Sequence, residues 1–483
     1  MKGYRIVLLA LVAIPLLLTW NRDLIQVNSG FGWDGKMYGM YTQHLPEAFK
    51  QEAVNSYRMQ RMLVPAVLFF KMDWLGIPRT EKNVVNAYRA SNAVFILIGA
   101  LAFLFLAYRA KWHWTTTSLG FAALWLSVPV LKMSMFYPLM PDIPAMAMGM
   151  VSIACWYAGW RAGLLAAILL GSFTAPTMFF YGLLLLFPKE PLKETGKVAW
   201  WQWTLLPALY LIIWIYVWLN APDVFSKPPA GSQSVRLGML PVALLISMIY
   251  LGWLGTLIPR LPLKGAFWKK TPWLWAGLFV CVLILVWVII QWGAGPEAPP
   301  QTFTSFGQLI LAQSVTYPAS FIVAHFQYLP GLVLLGAFSV PFVRTTIRKE
   351  GLGPLLLTLA VGLLLLGSET RQLLQLIPWM VFVFCHSVDR EWRFAPWVTG
   401  LWLAGLLIAG RWWQNIGQVG SLDVDFLKEP AQRYFRFHGP WMNEYTWMTT
   451  LGVLCAAGLI LAILWRAGFI RRLPENERQN PKP

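Results

Sequence analysis

Apolar runs of about 20 residues recur along the whole chain, separated by short polar stretches, and this pattern predicts a protein whose helices cross a membrane many times. The runs lie at about 4–20, 91–108, 117–134, 143–160, 200–219, 239–259, 273–293, 328–343, 354–367, 372–387, 395–410 and 445–465, with a short pair at 163–173 and 176–187. The pair flanks SFTAP, where Pro176 removes a backbone donor, so a membrane-embedded hairpin is expected there. The predicted fold class is therefore all-α: a polytopic transmembrane bundle of about 12–14 spans. A membrane β-barrel would instead alternate polar and apolar residues over ten-residue segments.

Lys2 and Arg5 precede the first run and place its start in the cytoplasm. The run ends in LLLTWNRD, without the small residues of a cleavage site, and reads as a retained span. The stretch from Asn21 to about Ala90 then lies outside. Within it, PEAFKQEAV carries Pro46 at a helix start and Leu45, Phe49 and Ala53 at four-residue spacing, which predicts a helix on the membrane surface. MLVPAVLFF at 62–70 is too short to cross and reads as partly embedded or re-entrant.

Charge tests this threading. It puts 22 Lys or Arg and 7 acids on the cytoplasmic side, against 17 and 14 outside, as the positive-inside rule requires. A full span at 62–70 would turn the basic clusters RLPLKGAFWKK and RTTIRK outward. Long outer loops remain at 21–90, 220–238, 294–327 and 411–444, so the working face is expected outside. Residues 1–465 read as one transmembrane domain. The segment 466–483, ending PENERQNPKP, reads as a disordered basic cytoplasmic tail.

Composition adds exclusions. The net charge of +18 would suit nucleic acid, but it is spread over short loops and follows topology, so no nucleic-acid partner is expected. Cys155, Cys281, Cys385 and Cys455 all fall in apolar runs and are expected as free thiols. His44, His113, His325, His386 and His438 are scattered, with no acid at ligand spacing, so no metal site or cofactor is expected. Walker, Gly-rich dinucleotide and GxSxG patterns are absent.

Three outer acids come from distant parts of the chain: Asp34 in GWDGKMYGMY, Asp142 in FYPLMPDIPAM and Glu369 in GSETRQLL. Ionised Asp at the bilayer centre costs about 2.5–3.5 kcal/mol on insertion scales, so such groups should share a wet cavity or face a cation. Pro138, Pro141 and Pro144 break the chain around Asp142, which reads equally as a solvated helix cap. Gly32 and Gly35 let the backbone turn tightly about Asp34, and Trp33, Tyr38 and Tyr41 are placed to pack on a sugar or lipid. Arg58 and Arg61 in YRMQR, three apart, would share a helix face suited to a lipid phosphate, or equally contact headgroups. Lys132 and Arg371 are the other outer candidates, Arg371 either pairing with Glu369 or holding an anion.

WDGxxY (Trp33, Asp34, Gly35, Tyr38) followed by YRxQRxLxP (Tyr57, Arg58, Gln60, Arg61, Leu63, Pro65) resembles the GT-C superfamily of integral-membrane glycosyltransferases. More narrowly, it is similar to bacterial cell-surface glycopolymer formation proteins of that architecture. YPLMPD and SETRQLLQLIP resemble the superfamily's second outer acid and its late E-x-R turn. The resemblance implies a polyprenyl-phosphate sugar donor, a glycan, lipid or protein acceptor, and a site on the outer face of a bacterial plasma membrane. It makes Asp34 the base, with Asp142 assisting or orienting. Arg58, Arg61, Lys132 and Arg371 would bind donor phosphate, and Trp33, Tyr38, Tyr57, Gln60 and Glu369 would line the pocket. The hairpin turn SFTAPT departs from relatives that carry a basic residue there. The competing readings are a transporter or lipid flippase, a glycan polymerase or ligase, and a non-catalytic subunit of a membrane complex.

Overall fold

The computed structural model describes residues 3–22, 24–51, 53–192, 197–226, 233–258, 272–295, 303–416 and 438–474. Among these, six helices are long and apolar enough to cross a membrane: Glu81–Arg109, Trp200–Asn220, Leu237–Gly255, Trp273–Gly293, Pro330–Glu350 and Glu444–Arg466. The pair Trp114–Trp125 and Pro129–Phe136, bent by 50°, makes a seventh when its two pieces are counted as one span. The break has a local cause. Pro129 has no N–H to donate, the turn Pro129–Met133 widens to a π-helix, and the Ser127 and Ser134 hydroxyls return to the carbonyls of Leu124 and Val130.

The other apolar runs form shorter helices than the 12–14 spans expected. Asp142–Tyr157 has 16 residues, Leu352–Leu364 has 13 and Ile377–Glu391 has 15. Sixteen residues extend roughly 24 Å at 1.5 Å each, less than the ~30 Å of a hydrocarbon core. These helices need no lipid contact, because nearly every side chain of Asp142–Tyr157 and Ile377–Val388 is buried against other helices. Conversely, helices such as Trp273–Gly293 leave Leu274, Ile284 and Trp287 bare, as lipid-facing surfaces do.

Contacts between loops sort them into two ends. At one end Glu350 accepts from His386 Nε2 at 3.1 Å and lies 3.8 Å from Lys189 Nζ, and Asp389 accepts from the His113 amide at 2.8 Å. At the other end the Leu63 amide donates to Phe173 at 3.0 Å, Gly295 to Val54 at 2.8 Å and the Trp447 indole to Pro318 at 3.0 Å. This is the partition that the alternating threading requires. The expected hairpin is present as two short apolar helices, Arg161–Gly171 and Pro176–Leu186, with hydroxyl bonds from Ser172 and Thr174 to the carbonyls of Ile168 and Gly171 at its turn. All four cysteines are free.

The segment at 62–70 belongs to Leu63–Trp74, a 12-residue helix too short to cross, as expected, whose Val64, Leu68, Phe69 and Met72 pack inward. Two expectations are corrected. The surface helix is only Leu45–Lys50, so Ala53 lies outside it. The chain beyond Arg466 is not disordered throughout. Ile470–Arg472 pairs antiparallel with Trp392–Phe394, and Leu473 N donates to Glu391 O at 2.8 Å, pinning the end of the last long helix. The cluster RLPLKGAFWKK, the segment PENERQNPKP and parts of the outer loops 220–238, 294–327 and 411–444 lie outside the described residues, in whole or nearly so.

Candidate functional site

Asp34 is exposed at the start of the helix Gly35–Gln43, and its carboxylate makes no capping bond to that helix. The two glycines beside it have a specific structural task. Gly32 has φ +73°, and a Cβ there would lie 2.2 Å from the Tyr137 ring; one on Gly35 would lie 3.0 Å from it. Tyr137 Oη also accepts from the Gly35 amide at 3.2 Å. The Asp34 turn thus rests directly on the aromatic residue that leads into the Asp142 loop. Burial pushes the Tyr137 phenol up to about 12, so it keeps its proton.

The prolines place Asp142 as expected. Pro141 precedes the helix Asp142–Tyr157, and Pro144 falls in the first turn, where no amide partner is needed. The carboxylate does not cap the helix and is not simply solvated, since Oδ2 lies 3.1 Å from Arg371 Nε with both side chains about 15% exposed. Arg371 therefore pairs with Asp142 and not with its sequence neighbour Glu369. Through Nε alone, the contact leaves both Nη groups without a hydrogen bond among the described residues.

Glu369 is half-buried and accepts from Gln372 Nε2 at 2.6 Å. Burial raises its carboxyl to about 7; the charges of Asp142 and Asp34 push the same way, and Arg371 opposes them. The turn that carries Glu369 and Arg371 is held by two residues that sequence reasoning missed. His325 Nε2 bonds the Leu365 carbonyl and Nδ1 bonds Thr370 Oγ1, each at 2.9 Å, while Gln313 Oε1 accepts from the Ser368 amide at 2.9 Å. Burial lowers His325 to about 4, so the ring is neutral at physiological pH and can donate through Nε2 while accepting at Nδ1. Their spacing in sequence gives no hint of this role.

Glu369 yields a prediction with a definite sign. Its folded-state value lies above the ordinary 4.5, so between pH about 4.5 and about 7 the folded protein holds a proton that the unfolded chain has released. That contribution to stability is complete below about 4.5 and lost as pH rises through about 7. The melting temperature of wild-type protein should fall across this interval by more than that of Glu369→Gln; parallel profiles would contradict the assignment.

The other expected site residues divide. Arg58 and Arg61 do not share a helix face, because the helix Ser56–Met59 ends before Arg61. Arg58 turns to Tyr41, whereas Arg61 lies 3.7 Å over the Tyr57 ring, and its charge acts on both Asp142 and Glu369. Tyr57 is partly exposed beside the acids and Trp33 is exposed, while Gln60 returns to the Ser56 carbonyl at 3.3 Å. Tyr38 is buried in a cluster with Phe31, Val84 and Tyr88 and does not line the pocket beside Arg371. Lys132 is displaced by the π-turn. It is buried, its Nζ donates to Gln414 O at 2.7 Å, and it does not join the acids.

A narrow pocket, open at its mouth, lies beside the Arg371 and Asp142 pair. Tyr137, Tyr328 and Asn92 contribute polar lining, and Met133 and Ile143 apolar lining. Asp34 and Glu369 do not line it, but the charge of Asp34 reaches both Asp142 and Glu369. Together these groups offer an open carboxylate, a second carboxyl that exchanges its proton near neutrality, and a cation with free donors. Such a set can remove a proton from a hydroxyl and stabilise an anionic leaving group. Among the described residues, no three His, Cys, Asp or Glu side chains gather as metal ligands. Comparison with family models, curated proteins and solved structures finds no match to this chain.

Proposed function

We propose that the protein is an inverting membrane glycosyltransferase of GT-C type, moving a sugar from a polyprenyl-phosphate donor to a glycan, lipid or protein acceptor on the outer face of a bacterial plasma membrane. The observation that carries the reading is the convergence of Asp34, Asp142 and Glu369 into one electrostatic neighbourhood, with Arg61 and Arg371 beside them. In this reading Asp34 accepts the proton of the acceptor hydroxyl as its oxygen attacks the anomeric carbon. The bond from that carbon to the phosphate oxygen breaks, and the electron pair leaves with the lipid phosphate. A phosphate with a second pKa of about 6 departs without being protonated, so one base suffices where a glycosidase uses two carboxylates. Direct displacement inverts the anomeric centre.

Arg371, through its Nη groups, and Arg61 are the residues assigned to the phosphate, replacing the wider set of Arg58, Arg61, Lys132 and Arg371. Asp142 orients Arg371 instead of acting on the sugar. The test is to incubate purified protein with prenyl-phosphate sugars and an acceptor extract, and to measure free lipid phosphate. Release is expected. A donor that is moved or bound but never cleaved would favour a transporter and overturn the assignment.

A further inference from the structure

The turn that carries Glu369 and Arg371 is anchored from a second side, at Gln375. The Gln375 carbonyl stands at the entrance of the helix Ile377–Glu391, which offers it no backbone donor, because Pro378 has no N–H and the Trp379 amide bonds Leu376 instead, at 3.0 Å. The hydroxyl of Tyr181, on the second arm of the hairpin, supplies the bond at 2.8 Å. The helix Asp142–Tyr157 leaves room for it: a Cβ on Gly149 would lie 2.1 Å from the Gln375 oxygen and 3.1 Å from the Tyr181 hydroxyl. The Gln375 side chain, 2% exposed, completes the anchor. Its Nε2 donates to Thr177 Oγ1 on the hairpin and, at 2.7 Å, to the carbonyl of Gln372 beside Arg371.

The same hairpin holds the other cation of the site. The carbonyl of Phe173, at its tip, accepts from the Leu63 amide at 3.0 Å. That amide opens the helix Leu63–Trp74, so no carbonyl within the helix is due to it, and Arg61 lies just before it in the chain. Only the stretch from Phe173 to Thr177 separates the two supports, and at full extension it spans no more than about 14 Å. The turn SFTAPT has no charged side chain. Its contribution to an anion is therefore geometric.

We infer that the hairpin turn is a spacer fixing the gap between Arg61 and Arg371 so that both close on one phosphate, and that Tyr181 and Thr177 are positioning residues acting on the ligand only through Arg371. This rests on the assignment of the two arginines to the lipid phosphate and adds the element that sets their separation. Two guanidinium groups share one anion over a narrow range of separations, since charge-assisted bonds need N···O distances of about 2.7–2.9 Å. A support that lets one arginine drift by about 1 Å forfeits its bonds while the helices stay packed.

Binding is measured on the full-length protein in lipid nanodiscs, with a short-chain prenyl phosphate and the matching prenyl alcohol as probes, at a temperature where every variant is folded. Wild type should bind the phosphate tighter than the alcohol. Tyr181→Phe should weaken phosphate binding roughly tenfold, the order of one hydrogen bond to a charged group, and leave binding of the alcohol unchanged. In the background Asp142→Asn, Arg371→Gln, where Arg61 alone meets the phosphate, the same substitution should cause no further loss, because the group it displaces is already gone. A merely structural hydroxyl would lower affinity by the same factor in both backgrounds, and that result would overturn the inference. Unchanged phosphate affinity in Tyr181→Phe would overturn it too, while leaving the lipid-phosphate site in place. Should Tyr181→Phe fail to fold, Thr177→Val, which removes the other anchor, takes its place with the same expected results. If wild type binds the phosphate no tighter than the alcohol, the glycosyltransferase reading falls, and this inference with it.

Discussion

Asp34→Asn is expected to lower sugar transfer by about 100- to 10,000-fold, the contribution of one positioned base, with expression and melting temperature unchanged. Asparagine keeps the size and the hydrogen-bonding oxygen of aspartate but cannot take up a proton from the acceptor. The absence of a structural cost follows from the setting, since the carboxylate is exposed and does not cap the helix Gly35–Gln43. Donor affinity should survive, because the phosphate is assigned to other residues. Lipid-phosphate release at the wild-type rate in this variant would remove Asp34 from the mechanism. A loss of folded protein would instead make the residue architectural.

Arg371→Gln should fail differently, losing both stability and transfer. The guanidinium is the hydrogen-bonded partner of Asp142 at 3.1 Å, both groups being largely shielded from solvent. Removing one member of a buried pair leaves the other charge uncompensated, a penalty of about 3–5 kcal/mol. The double variant Asp142→Asn, Arg371→Gln removes both charges, so it should recover most of the melting temperature lost by Arg371→Gln. Transfer should stay lost in the double variant, because no cation remains at the leaving phosphate. Additive losses of stability in the two single variants would show that the pair is not coupled, and recovered transfer would free Arg371 from any role in the chemistry.

What the sequence revealed was whatever depends on local order. Apolar length located the helices, Pro176 and its neighbours the hairpin, and the three prolines of FYPLMPDIPAM the helix start that presents Asp142. Local order could not tell a helix that touches lipid from one enclosed by protein, since both are uniformly apolar. Six helices among the described residues are long and apolar enough to cross, against the 12–14 spans expected, and Asp142–Tyr157 and Ile377–Glu391 are enclosed by other helices. The partners in the site were hidden for a related reason. Arg371 meets Asp142 across 229 positions of sequence, and His325 secures Leu365 and Thr370 from a different helix. Lys132 read as an outer cation because its partner, the Gln414 carbonyl, is equally remote in sequence. Tyr38 looked like a sugar platform because an aromatic residue beside an acid has the same sequence signature whether it faces a ligand or the core.

The ring of Tyr137, seated where Gly32 and Gly35 carry no side chain, is the keystone of an arch whose two limbs bear Asp34 and Asp142. Neither limb shifts without carrying the other, so the distance between these acids is a fixed dimension of the protein and not something a visiting molecule adjusts.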